Sequence, residues 1–91
     1  MIKKKFAITF DYQLENSSVI LQLIAVVELY HVKPYYLVNG ISVLNRPGGA
    51  VLPDMKIRRL EGKWVHRDSD KESTLSAIAG AAIDEYESKI V

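Results

Sequence analysis

The stretch Val19-Ile20-Leu21-Gln22-Leu23-Ile24-Ala25-Val26-Val27-Glu28-Leu29-Tyr30-His31-Val32 decides the fold. It is the most apolar segment of the chain. Its odd positions Val19, Leu21, Leu23, Ala25, Val27 and Leu29 alternate with a set that includes Gln22, Glu28 and Tyr30. Five β-branched residues, Val19, Ile20, Ile24, Val26 and Val27, favour a strand, because branched side chains pack well on a pleated surface. A buried helix is the rival. Val19, Leu23, Val26, Val27 and Tyr30 also fit a 3.6-residue period, and periodicity does not separate the two for a short apolar run. The β-branched content selects the strand. At about 3.3 Å per residue it would be long, so a bend or bulge is expected within it.

Working outward, residues 4–12 alternate. Lys4, Phe6, Ile8, Phe10 and Tyr12 share one face, and Lys5, Ala7, Thr9 and Asp11 the other. Period two means a strand with one buried and one wet side. Glu15-Asn16-Ser17-Ser18 is a polar turn between the two strands. After Pro34, Tyr35-Tyr36-Leu37-Val38 reads as a strand. Asn39-Gly40 is a strong hairpin signal. The alternative, slightly preferred, is one continuous strand over 35–44 with Gly40 at a bulge, because a four-residue return strand gains little alone. Residues 45–54, with Arg46, Pro47, Gly48, Gly49 and Pro53, form an exposed loop. Lys56–Leu60 and Lys63–His66 flank Glu61-Gly62, which reads as a tight hairpin carrying the only Trp.

The last segment reads as a helix. Ser69-Asp70-Lys71-Glu72 has the form of a capping box. Leu75, Ile78, Ala79, Ala82, Ile83, Tyr86 and Ile90 recur at three and four and make one apolar stripe. Ser73, Ala77, Gly80, Ala81, Asp84 and Ser88 lie roughly opposite it and are mostly small. Gly80 costs about 1 kcal/mol relative to Ala in a helix and wants a reason. A close-packed partner is one such reason. Asp84, Glu85 and Glu87 stand at the negative end of the helix dipole, so basic groups of the sheet or of a partner should offset them.

The fold expected is therefore α+β: a single domain over 1–91, with a meander-like antiparallel sheet of four or five strands and one C-terminal helix across one face. The expected core is Phe6, Ile8 and Phe10; Leu21, Leu23 and Val27; Leu37, Ile57 and Trp64; and Leu75, Ile78, Ala82, Ile83 and Tyr86. At 91 residues, 48% hydrophobic and 25% charged, a folded domain is the expected class rather than a disordered chain. Such a domain hides only roughly 60–65% of its unfolded surface, so its stability is modest. The absence of cysteine excludes disulfides, thiol catalysis and cysteine-ligated metals, and it fits a reducing cytoplasm. The apolar run behind Met1-Ile2-Lys3-Lys4-Lys5 is too short for a signal core, and no stretch is long enough to span a bilayer. A cytoplasmic protein without a membrane segment is expected.

Charge is balanced overall at +1 but not along the chain. Residues 1–67 hold ten basic and five acidic side chains, and residues 68–91 hold two and six. Either the two halves complement each other within the fold, or Arg46, Lys56, Arg58, Arg59, Lys63 and Arg67 form a face for a polyanion. These residues interleave with Trp64, and Tyr35 and Tyr36 add stacking surface of the kind that holds unpaired bases. The overall pI of 8.0 is below the value above about 9 that marks a nucleic-acid footprint, so this reading is not the favoured one. His66, Asp68 and Asp70, spaced by two, could share a strand face and hold a divalent cation, but the two Asp also suit caps. His31 falls on the apolar phase of its strand and reads as a core or edge histidine. There is no nucleophile elbow, no phosphate loop and no cofactor motif.

Trp64-Val65-His66-Arg67-Asp68-Ser69, followed by Glu72-Ser73-x-Leu75-Ser76-x-x-x-Gly80-x-Ala82-Ile83, resembles the C-terminal pattern of small uncharacterised bacterial proteins. The resemblance covers roughly the last third of the chain. It implies a strand followed by a capped helix and supplies no catalytic residues. The function expected is a small non-enzymatic interaction module that forms a homo-oligomer or binds a small protein partner. Ser73, Ala77, Gly80, Ala81 and Asp84 are its candidate interface. Polyanion binding is the alternative, and a small-ligand or metal-dependent enzyme the third.

Overall fold

Residues 20–30 are a strand. In the structure, a computed structural model that describes residues 2–13, 16–46 and 48–89, the chain runs β1 (Ile2–Gln13), β2 (Ile20–Tyr30), β3 (Tyr35–Val43), β4 (Met55–Leu60), β5 (Lys63–His66) and α1 (Thr74–Ser88). The readings of Met1, Glu15, Pro47 and Ile90 fall outside the described residues. The five strands form one antiparallel meander in the order β1-β2-β3-β4-β5, with the single helix packed against it, an α+β fold.

Gly40 is the bulge. Ile24 pairs with Ser42 and Val26 with Asn39, so Gly40 and Ile41 together oppose Ala25. Gly40 takes φ +63°, which a residue without Cβ adopts at no steric cost. The extra residue reverses the phase of β3. Tyr36 and Val38 point to the helix side before it, and Ile41 does so after it. Glu61 and Gly62 both have positive φ, as a two-residue type I′ hairpin requires.

The helix starts later than the sequence suggested. Ser73, not Ser69, is the N-cap. Its hydroxyl accepts from Ser76 N at 3.0 Å, and Ser76 Oγ accepts from Ser73 N at 2.8 Å, a capping box closed by serine in place of glutamate. Ser69 caps a turn instead, accepting from Lys71 N, and Asp70 sits at φ +57° within it.

The helix lies against β1, β4 and β5, so it reaches both edge strands of the sheet. Between it and the sheet Phe6, Ile8, Phe10, Leu23, Val27, Ile57 and Trp64 meet Ile83 of the helix, all buried as expected, with Leu21, Leu75, Ile78, Ala82 and Tyr86 packed around them. Ala25, Tyr36, Val38, Ile41, Met55 and Ala79 join the core as well. Leu37 does not. In Tyr35-Tyr36-Leu37-Val38 every residue is apolar, so the phase is set by pairing of Tyr36 with Ile57, which turns Leu37 to the opposite face. His31 lies in the β2–β3 turn, exposed, rather than in a core or paired edge.

Candidate functional site: the uncovered face of the sheet

The small-residue face of the helix is largely engaged within the chain. Gly80 is buried beneath the indole of Trp64, and a Cβ at this position would overlap the Trp64 ring. Asp84 Oδ2 accepts from Trp64 Nε1 at 3.0 Å. Ser73 caps the helix and stands 2.8 Å from His66 Nε2. Three of the five candidate interface residues, Ser73, Gly80 and Asp84, therefore serve the packing of α1 on β5. Ala77 is half-buried, and only Ala81 is exposed without such a contact. The apolar stripe Leu75, Ile78, Ala79, Ala82, Ile83 and Tyr86 packs on the core as expected, and the indole also reaches round to the small side of the helix, where Gly80 leaves room for it.

The acids at the helix C-terminal end meet the sheet. Arg59 pairs with Asp84 at 2.5 Å and with Glu87 at 2.7 Å, and lies 4.4 Å from the centre of the Trp64 ring. Lys4 binds Glu87 at 3.1 Å, and Tyr36 Oη donates to it at 2.9 Å. Burial works to raise the Glu87 pKa, but hydrogen bonds from Arg59, Lys4 and Tyr36 outweigh it and hold the carboxyl below its ordinary value. Burial alone would lower the Arg59 pKa. Its bonds to Glu87, Asp84 and Tyr36 reverse that and raise it. Burial, then Glu87, raises Tyr36, so the phenol keeps its proton at neutral pH.

The arginines therefore part company. Arg59 is on the helix side, held by carboxylates. Lys56, Arg58 and Arg67 are on the opposite face. Arg67 lies 4.5 Å and Lys56 6.0 Å from the Tyr35 ring, which itself stacks on Tyr30 at 5.0 Å. Arg58 is tied to Asp70 and Arg67 to Asp68. Lys63 is exposed at the start of β5, and Arg46 is exposed in the long loop. His66, Asp68 and Asp70 point to three different partners, Ser73, Arg67 and Arg58. Among the described residues no three His, Asp or Glu side chains gather as metal ligands, and no helix is long and apolar enough to cross a membrane.

What remains is the face of the sheet that carries no helix. An antiparallel sheet with one solvated side alternates apolar and polar residues. Strand β2 does not. Its inward residues Leu23, Ala25 and Val27 are buried, and its outward residues include Ile20, Ile24, Val26 and Tyr30, of which Ile20 is 62% exposed. Leu37 and Leu44 flank them on the β3 side, half-exposed. None of Ile20, Ile24, Val26, Leu37 and Leu44 belongs to the core cluster. The sequence did carry this signal: a strand apolar on both sides is also a strand whose periodicity fails to exclude a helix. Comparison with family models, curated proteins and solved structures returned no match to this chain.

Proposed function

We propose that the protein is a small non-enzymatic interaction module that self-associates, working in the cytoplasm. The observation that carries this reading is the two-sided apolar character of β2, with one side under the helix and the other open. An exposed apolar patch rimmed by polar residues is the usual mark of a protein contact. Here the rim is Lys5, Thr9 and Asp11 along β1 and Lys56, Arg58 and Lys63 along β4–β5. Light scattering behind size exclusion, on nucleic-acid-free protein at two salt concentrations, tests it. A mass near twice 10.3 kDa at both salts supports self-association, and a monomer at every concentration removes it.

A second reading rests on the Arg67–Tyr35–Tyr30 stack with Lys56 beside it. Such a cation–aromatic array can hold a polyanion with stacking bases. Binding of single-stranded RNA that weakens steeply with salt and is lost in Tyr35→Ala supports it. Absence of binding at low salt ends it.

A further inference from the structure

The outward side chains of β1, β2 and β3 are laid out symmetrically about one level of the sheet. That level is the row where Ile8 pairs with Ala25 and Ala25 faces the bulge of Gly40 and Ile41. On β1, Lys5 and Ala7 lie on one side of it, and Thr9 and Asp11 on the other. On β2, Val26 and Glu28 mirror Ile24 and Gln22, with Tyr30 and Ile20 beyond. On β3 Asn39 mirrors Ser42, because Gly40 adds the residue that brings Ser42 level with Ile24, and Leu37 mirrors Leu44, which lies just past the end of β3 with its N–H bonded to Gln22 O at 2.9 Å.

We infer that the occupant of this face is a second copy of the chain, packed sheet to sheet about a two-fold axis that crosses the strands at the Ile8–Ala25 level. This rests on the self-association reading and specifies its surface. A two-fold axis makes an interface self-complementary, each residue meeting the mirror position of its partner. Ile24 of one copy then opposes Val26 of the other, and Leu37 opposes Leu44. Gln22 meets Glu28, and Lys5 meets Asp11. Apolar residues meet apolar ones, an amide meets a carboxylate, and a cation meets an anion. Gly40 lies at the axis and presents no side chain there. The basic residues of β4 and β5 lie to one side of the axis, so a copy turned about it does not set them against themselves.

The size fits a modest dimer. Three strands about 4.8 Å apart and about ten residues long at about 3.3 Å cover roughly 500 Å² per copy, or about 1,000 Å² for the pair. That is near the lower bound of specific interfaces. Packed sheets cross at about −30°. Lys5 and Asp11, each three residues from Ile8 and so about 10 Å from the axis, shift sideways by about one strand spacing, within a lysine's reach.

Charge exchange tests the arrangement. In Lys5→Glu both copies place an acid against Asp11, and in Asp11→Lys both place a base against Lys5. Each variant alone should dimerise about three- to tenfold more weakly than the unaltered chain. An equimolar mixture of the two should recover the lost affinity as a heterodimer, because every rim contact is again opposite in sign. Val26→Asp, near the axis, should weaken the dimer by at least about a hundredfold, with unfolding and circular dichroism confirming the fold. If the unaltered chain is monomeric, the self-association reading itself fails. If it is dimeric but Val26→Asp remains dimeric and the mixture matches the single variants, self-association stands and this face is not its surface.

Discussion

Gly80 and Trp64 are in direct contact, the helix backbone lying where the face of the indole closes on it. The relationship explains a glycine in the middle of a helix that intrinsic preference disfavours. Gly80→Ala would gain about 1 kcal/mol in a free helix. Here the added methyl overlaps a ring that is held on its other sides by Asp84, Arg59 and Tyr36. Overpacking of this kind costs about 1–3 kcal/mol and should win. Urea unfolding followed by Trp64 fluorescence should show a lower midpoint for Gly80→Ala. A midpoint equal to or above the parent's would mean that the indole moves aside freely.

The same contact shows how far the sequence could be read. The sheet was legible because β1 alternates cleanly and Glu61-Gly62 is a turn that few other pairs make. The side on which Leu37 lies was not. Four successive apolar residues carry no phase, and the phase comes from a pairing with β4 across the long 44–54 loop. Gly80 stood out as unexplained, and its partner lies sixteen positions earlier on another element. Periodicity describes one element at a time, so it flagged the anomaly without showing that the neighbour is Trp64 of the same chain. The outward face of β2 was not legible for a related reason: a run apolar at both odd and even positions does not say which side is covered.

The capping arrangement separates two serines. Ser76 is fully buried, and its hydroxyl donates to the carbonyl oxygen of Trp64 at 2.9 Å while also closing the box with Ser73. Ser76→Ala and Ser73→Ala should each cost about 1–2 kcal/mol. Ser69→Ala, in an exposed turn with one bond of 3.3 Å, should stay within about 0.5 kcal/mol. Equal effects at Ser69 and Ser73 in thermal unfolding would return the helix start to the earlier serine.

Gly40 tests the bulge without a packing term. Nothing lies within 4 Å of where a Cβ would stand, so only the positive φ opposes a side chain. Gly40→Ala should therefore destabilise by about 1–2 kcal/mol. Gly49→Ala, equally open but without a positive φ, should be close to neutral. If both behave alike, the left-handed backbone at Gly40 is not what fixes the phase of β3.

Glu87 ties the last turn of the helix to three elements of the sheet, through Lys4 on β1, Tyr36 on β3 and Arg59 on β4. Its carboxyl titrates below the ordinary value of 4.5, so the folded state holds the proton less firmly than the unfolded chain does. The stabilisation is complete above the unfolded pKa and is lost as the pH falls through the folded one. Arg59 stays charged and Tyr36 protonated throughout that range, so neither adds a slope of its own there. Acid unfolding should consequently begin below about pH 4.5, and Glu87→Gln should flatten the pH dependence below that point while lowering stability at pH 7. Because Glu87 is partly exposed, salt should reduce its contribution without abolishing it. A parent and a Glu87→Gln variant with parallel stability curves across the acid range would show that the Glu87 carboxylate adds no pH-dependent stability and that apolar packing of the helix on the sheet carries the attachment.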